Sequence, residues 1–163
     1  MKILVAYYSR TGTTRTVGEA LAKELGADRD EIVDLKKRTG LRPIRFLIAG
    51  RDAMAKKLTD IRFERPAEEY DLVVIGTPVW AGKITPAVRT YLSSQRLEGK
   101  RVAFFCTNEF SHEGVFEEMK KMIPNSIFVG ALGVPAKEVK SGAYVEKVKQ
   151  FADNLRKQTA PNP

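Results

Sequence analysis

The chain has 163 residues, the size of one ordinary domain, and its 43% hydrophobic and 29% charged residues give the balance of a soluble globular protein. No apolar run approaches the roughly 18 residues needed to span a bilayer, so membrane insertion is not expected, and one cysteine (Cys106) with one histidine (His112) excludes an intramolecular disulfide and a zinc site of the usual Cys/His composition. The formal net charge is +8 and is unevenly placed, because residues 36–65 hold ten basic side chains against three acidic ones, a local +7.

Apolar runs alternate with helix-period segments along the whole length. Ile3-Leu4-Val5-Ala6-Tyr7 reads as a short buried strand, too brief in its apolar stretch for a signal peptide. Val17, Ala20, Leu21 and Leu25 then share one helical face, and Gly26 stands where a helix would stop. A weaker strand follows around residues 32–35. The next crossover, about residues 41–58, sets Ile44, Leu47, Met54 and Leu58 at helical spacing, although Gly50 inside it costs roughly 1 kcal/mol relative to alanine. Residues 71–76 form the clearest strand, continuously apolar as a strand covered on both faces should be. Thr85-Pro86 offers a capping hydroxyl followed by proline at the first helical position, opening a helix with Val88, Tyr91 and Leu92 inward. Residues 101–106 make a fourth strand, followed by a helix with Val115, Phe116, Met119, Met122 and Ile123 inward. Residues 127–132 make a fifth strand. A last helix begins at Ser141, with Tyr144, Val145, Val148, Ala152 and Leu155 on one face.

Five strands alternating with five helices predict an α/β fold with a parallel sheet, right-handed crossovers and helices on both sides. One domain is expected over residues 1–157, with residues 158–163 as a frayed tail. In such sheets ligands bind beyond the carboxyl ends of the strands, where the strand order reverses. Three segments are therefore candidates: those after the first, third and fourth strands.

After the first strand comes Ser9-Arg10-Thr11-Gly12-Thr13-Thr14, leading directly into a helix. Hydroxyls, a glycine and the unbonded N–H groups of a helix N-terminus together suit a phosphate, and the helix dipole adds roughly 0.3–2 kcal/mol. Neither a P-loop nor a Gly-x-Gly-x-x-Gly dinucleotide fingerprint is present. After the third strand, Thr77-Pro78-Val79-Trp80-Ala81-Gly82 presents an aromatic ring that can stack on a flat heterocycle. After the fourth, Thr107-Asn108-Glu109-Phe110 offers a second aromatic, with Ser111 placed to cap the next helix and His112 expected to be solvated. Cys106, ending a buried strand, reads as inert packing.

The loop at residues 9–14 after Ile-Leu-Val-Ala-Tyr-Tyr resembles the FMN-phosphate loop of flavodoxins, Ser/Thr-x-Thr-Gly-x-Thr, and the likeness extends over nearly the whole chain. That resemblance implies a three-layer α/β/α sandwich with five parallel strands in the order 2-1-3-4-5. It further implies non-covalent FMN, with phosphate on residues 9–14 and the ring between residues 77–82 and 107–112. Trp80 would take one ring face and Phe110 the other, and Glu109 would disfavour the anionic hydroquinone by Coulomb repulsion. The uninterrupted fifth strand matches the short-chain form.

The resemblance implies electron transfer with redox partner proteins. An NAD(P)H-dependent quinone oxidoreductase on the same fold is the alternative, with the stretch at residues 43–48 as a dimer contact or nicotinamide-phosphate site. Familiar flavodoxins are acidic, whereas this chain is basic, so acidic partners meeting Lys36–Arg65 are the expectation, a solvated helix face fitting the same charges equally well. A phosphoacceptor receiver requires acidic residues where this chain has Tyr8-Ser9, and nucleic-acid binding, not expected, would be non-specific and salt-dependent. The lone cysteine suits a reducing cytoplasm, the expected location.

Overall fold

The computed structural model describes residues 1–36 and 42–159, with the side chains of residues 42–46 and 54 outside that description. The elements in chain order are β1 (Ile3–Tyr8), α1 (Thr13–Leu25), β2 (Asp28–Asp34), α2 (Arg42–Met54), β3 (Ile61–Arg62), β4 (Leu72–Pro78), α3 (Pro86–Ser94), β5 (Arg101–Asn108), α4 (Val115–Met122), β6 (Ile127–Pro135), α5 (Ala136–Ser141) and α6 (Tyr144–Thr159). The sheet order is β3-β2-β1-β4-β5-β6, with every pairing parallel except that of β3 with β2. The α/β class and the parallel sheet agree with the expectation. The order also agrees once β3 is set aside, because β2-β1-β4-β5-β6 is the expected 2-1-3-4-5. Among the described residues no helix is long and apolar enough to cross a membrane.

The strand count differs. Among the described residues six strands form, not five, because Asp30, buried in β2, accepts the backbone N–H groups of Glu64 and Arg65 and pulls their loop onto the sheet edge. The two residues of β3 follow from that anchor, with Val33 opposite Arg62 and Asp34 opposite Ile61. Five helices were expected and six form among the described residues: the last was expected to begin at Ser141, and α5 precedes it. Gly142 adopts φ 85°, a left-handed conformation that ends α5 before α6 starts at Tyr144. Helix α6 runs through Gln158 and Thr159, into the segment expected to be tail, and the Thr159 hydroxyl donates to the Leu155 carbonyl; residues 160–163 lie outside the described residues.

Pleating sorts the core into two sides. Leu4, Ala6, Tyr8, Val73, Ile75, Val102 and Phe104 face α3 and α4, meeting Val88, Tyr91, Leu92, Val115 and Met119. The alternate residues Val5, Tyr7, Leu72, Val74, Ala103 and Phe105 face α1 and α6, meeting Val17, Leu21, Phe151, Ala152 and Leu155. One glycine sets how closely α1 approaches the sheet, and another makes room between neighbouring strands. A Cβ on Gly18 would overlap the Tyr7 ring, and one on Gly76 would overlap the Phe105 ring. Helix α2 departs from its expected face: Leu47 is 74% exposed and Leu58, beyond the helix, is 61% exposed, while Ala49, Asp52 and Ala53 are buried. The side chains of Ile44 and Met54 lie outside the described residues.

Cys106 is buried in β5, and desolvation raises its thiol to about 12. An ionisable acid held neutral in the fold stabilises it fully below the unfolded pKa, and that contribution disappears as pH rises through the folded value. Urea unfolding between pH 9 and 12 is therefore expected to show stability falling with pH, less steeply in Cys106→Ala. A thiol reagent at pH 8 is expected to label the native chain only after denaturant is added.

Candidate functional site

The reversal of strand order lies between β1 and β4, where β2 continues the sheet to one side and β5 to the other. Chain leaving β1 must turn at once into α1. Gly12 does this at φ 99°, a left-handed conformation that costs other residues strain, and serves as the N-cap without a side chain of its own. Ser9 replaces the missing cap. Its Oγ accepts the N–H groups of Gly12 (3.2 Å) and Arg15 (3.1 Å), which leaves its own proton to donate outward. The Gly12 carbonyl accepts the first intrahelical bond, from the Thr16 N–H at 2.9 Å. Thr13 and Thr14, the first two helical residues, have no intrahelical acceptor for their N–H groups. Thr11 Oγ1 lies 3.5 Å from Thr13 Oγ1, and buried Thr14 Oγ1 lies 2.7 Å from Thr107 Oγ1 on β5. Amides and hydroxyls thus meet in a loop, the cradle, whose chemistry suits an anion.

Chain leaving β4 makes a tight hairpin. Trp80 and Lys83 exchange both backbone hydrogen bonds at 3.0 Å across Ala81 and Gly82, whose φ values of 50° and 72° are those of a turn with two left-handed residues. The hairpin holds the Trp80 indole edge-on to Tyr8, with ring centroids 5.8 Å apart and the Arg10 guanidinium 5.3 Å from the indole centroid. Such a cation over an indole is worth about 0.5–2 kcal/mol. The first and second loops are thereby joined.

Both loops, with the segment after β5, surround one cavity of about 480 Å³. Of the sixteen expected site residues, Arg10, Thr11, Thr13, Thr14, Pro78, Val79, Trp80, Ala81, Gly82, Thr107, Asn108, Glu109 and Phe110 line it. Ser9, Gly12 and Thr77 do not. Ser9 and Gly12 shape the cradle from behind, and Thr77 is fully buried, its hydroxyl donating to the Pro78 carbonyl. Phe110 stands at the rim with its side chain open to solvent, 99% exposed. Asn108 is buried in the wall, and its Oδ1 has no hydrogen-bond partner among the described residues.

Four further residues line the cavity: Ala49, Gly50 and Ala136 were not expected, and Ser111 lies within the 107–112 segment expected beside the ring, where it was read as a helix cap. Gly50 carried a signal in its sequence: a glycine inside a helix marks close approach. A Cβ there would lie 3.7 Å from that of Ala81, so α2 passes directly behind the Trp80 hairpin. Ser111 accepts the Glu113 N–H, one turn before the N-cap of α4 at Gly114. His112, expected in solvent, is half-buried against Gly133 and the Phe116 ring, away from the cavity.

The family model described as flavodoxin domain matches residues 49–136, more than half of the chain. The chain belongs to the flavodoxin domain family. That matches the resemblance carried by residues 9–14, which lie outside the matched span. Solved flavoproteins share the fold. A Bacteroides uniformis protein assigned as a flavoprotein is 26% identical, with a TM-score of 0.77 over 93% of this chain and 97% of its own. A Lactobacillus acidophilus flavoprotein, crystallised in complex with FMN, is 22% identical, with a TM-score of 0.71 over 87% of this chain and 98% of its own. The oxidised flavodoxin 2 of Bacillus cereus is 20% identical, with a TM-score of 0.60 over 97% and 99%. No curated protein matches in sequence.

Within this flavodoxin-family site, Ser9 does the work of a helix cap from three residues before the turn. Ser9→Ala strips the acceptor from two amides and is expected to lower stability to urea by about 1 kcal/mol, as loss of a cap does. Ser9→Thr keeps the hydroxyl and is expected to retain most of that stability.

Proposed function

We propose that this chain binds FMN non-covalently in the cavity between the residue 9–14 loop, Trp80 and the segment after β5, and that it acts as an electron carrier. The observation that carries the reading is the meeting of an anion cradle and an accessible indole in one cavity. FMN has an anionic phosphate at one end and a flat heterocycle at the other, and the two halves of the site suit those two ends. A volume of about 480 Å³ falls within the roughly 300–1,000 Å³ of small-molecule and cofactor sites. Asn108 adds a carboxamide, donor and acceptor together, to the wall facing a ring edged with N–H and C=O groups.

When bound, FMN supplies the exchange of one or two electrons. The chain's residues bind and position it. Thr11, Thr13 and Thr14 would donate to phosphate oxygens together with the first amides of α1, with Ser9 holding the loop from behind, and Trp80 would stack on the ring. Arg10, set against the Trp80 face, brings a positive charge beside the ring, and Glu109 an opposing negative one. Phe110 leaves one side of the cavity open, as electron exchange with another molecule requires.

The protein is expected to quench FMN fluorescence with micromolar or tighter affinity, and Trp80→Ala to weaken that affinity by about tenfold, on the scale of about 1–3 kcal/mol for aromatic stacking on a base. An unquenched titration at micromolar FMN would defeat the reading. The open side at Phe110 also admits a hydride donor, so the enzyme reading remains the second one. Rapid bleaching of bound flavin by NADPH alone supports it, whereas bleaching only with an added reductase supports the carrier.

Charge points to the partner. Lys36 and Lys57 are drawn to buried Asp52, at 2.6 and 3.6 Å, and Arg65 lies 3.5 Å from Asp28. Arg51 and Lys56 stand exposed at the end of α2, whose Ala49 and Gly50 line the cavity, and Leu47 lies exposed one turn earlier. An apolar contact beside basic residues suits an acidic redox protein. Lys37 and Arg38, and the side chains within residues 43–46, lie outside the described residues. Electron transfer from reduced protein to ferricyanide, a small anionic acceptor, is expected to slow about tenfold from low to high salt. Arg51→Glu with Lys56→Glu is expected to remove much of that salt dependence.

A further inference from the structure

We propose that Thr107 is a positioning residue for the phosphate end of the ligand, and that its hydroxyl sets the preference of the site for a phosphorylated over an unphosphorylated flavin. This rests on the FMN reading above. By its place in the chain Thr107 belongs to the segment that meets the ring; its contacts put it elsewhere. As the penultimate residue of β5 it alternates with Cys106 and Asn108, so its side chain emerges on the same face as Ala103 and Phe105, toward α1. There its Oγ1 meets that of Thr14 at 2.7 Å, across 93 residues of sequence, with both residues buried.

Two hydroxyls at that distance share one proton, so the pair keeps one proton to give away. Thr14 is the second residue of α1, at the positive end of the helix dipole, where an anion is favoured. An anion there draws the Thr14 proton toward itself, and Thr107 must then donate to Thr14 Oγ1. A hydroxyl that accepts one hydrogen bond is a better donor of the next. Thr107 therefore orients and strengthens a donor without itself reaching the anion.

The main chain of Thr107 does something separate. Its carbonyl accepts the N–H of Val79 at 2.9 Å, fixing the residue before Trp80. Side-chain substitution leaves that bond in place, so the ring half of the site serves as an internal control.

The test measures dissociation constants for FMN and for riboflavin by fluorescence quenching in the wild type, Thr107→Val and Thr107→Ser. Valine keeps the shape and loses the proton; serine keeps the proton. Thr107→Val is expected to weaken FMN about tenfold while riboflavin stays within about twofold, and Thr107→Ser to hold the wild-type ratio within about twofold. Should Thr107→Val fold poorly by circular dichroism, Thr107→Ala against Thr107→Ser gives the same ratio. Equal weakening of both flavins, an unchanged FMN preference in Thr107→Val, or an equal defect in Thr107→Ser overturns the proposal. Wild-type protein that binds riboflavin as tightly as FMN overturns it too. Wild-type protein that quenches neither flavin brings down the FMN reading and this proposal together, so the two failures are distinguishable.

Discussion

Two amides at the start of α1, those of Thr13 and Thr14, have no acceptor inside their own helix. Leaving such donors unsatisfied is costly unless water or a ligand takes them, and the fold leaves them at the carboxyl ends of the strands, where the chain from β1 enters α1 on one face and the chain from β4 enters α3 on the other. The rest of the site is arranged around that point. Gly12 lets the chain turn sharply enough to begin the helix there. Ser9 takes the third amide, that of Arg15, so the donors that remain are the ones facing the cavity. Thr14 reaches across to β5, and Arg10 reaches across to Trp80. An anion cradle and an aromatic platform are held at a set separation because both are hydrogen-bonded or stacked onto the same three strands.

That separation depends on how far α1 stands from the sheet. Gly18, in the middle of α1, costs roughly 1 kcal/mol in helix propensity. In return the Tyr7 ring lies directly under the helix axis, where no Cβ could fit. Burying a large aromatic contributes about 1.5–3 kcal/mol, more than the glycine loses. Within the sheet, Gly76 leaves room for the ring of its cross-strand partner Phe105, which packs on the same side as Tyr7. These buried residues touch no ligand, but they fix the depth at which the helix begins, and with it the position of the cradle.

Much of this was legible in the sequence, and what was missed shares a cause. Strands such as residues 72–75 and helices such as 115–122 declare themselves because one period of apolar residues decides them, as does the cradle, where hydroxyls and a glycine follow a strand. Edge strand β3 depends on a carboxylate more than thirty residues away, Asp30, and no local period records that. The face of α2 was misjudged because Ala49 and Ala53 are too small to stand out against Leu47, whereas the glycine that seemed a defect, Gly50, is what lets α2 approach the Trp80 hairpin. His112 was placed in solvent because its support, Gly133, offers room and no side chain of its own. Thr107 was grouped with the ring by its place in the sequence, and the proposal above moves it to the phosphate end because its hydroxyl meets that of Thr14. A strand, however, sends alternate side chains to opposite faces, and one residue can serve a different end of the site from the next.

The chain's positive charge acts at two ranges that should not be merged. Asp52, buried at the end of α2, needs a counter-charge, and Lys36 and Lys57 supply it, so part of the basic excess is committed to holding the crossover in place. What remains at the surface attracts anions from a distance, and at physiological salt that attraction fades within about 8 Å. Within the cavity the terms are different. The amides of α1, the paired threonines and the guanidinium of Arg10 are fixed by the fold and partly shielded from water, so salt screens them little. The outer field can therefore change how often an anion or an acidic protein arrives. On the FMN reading proposed above, the inner donors would decide whether a phosphate stays, and would do so in a chain of any net charge.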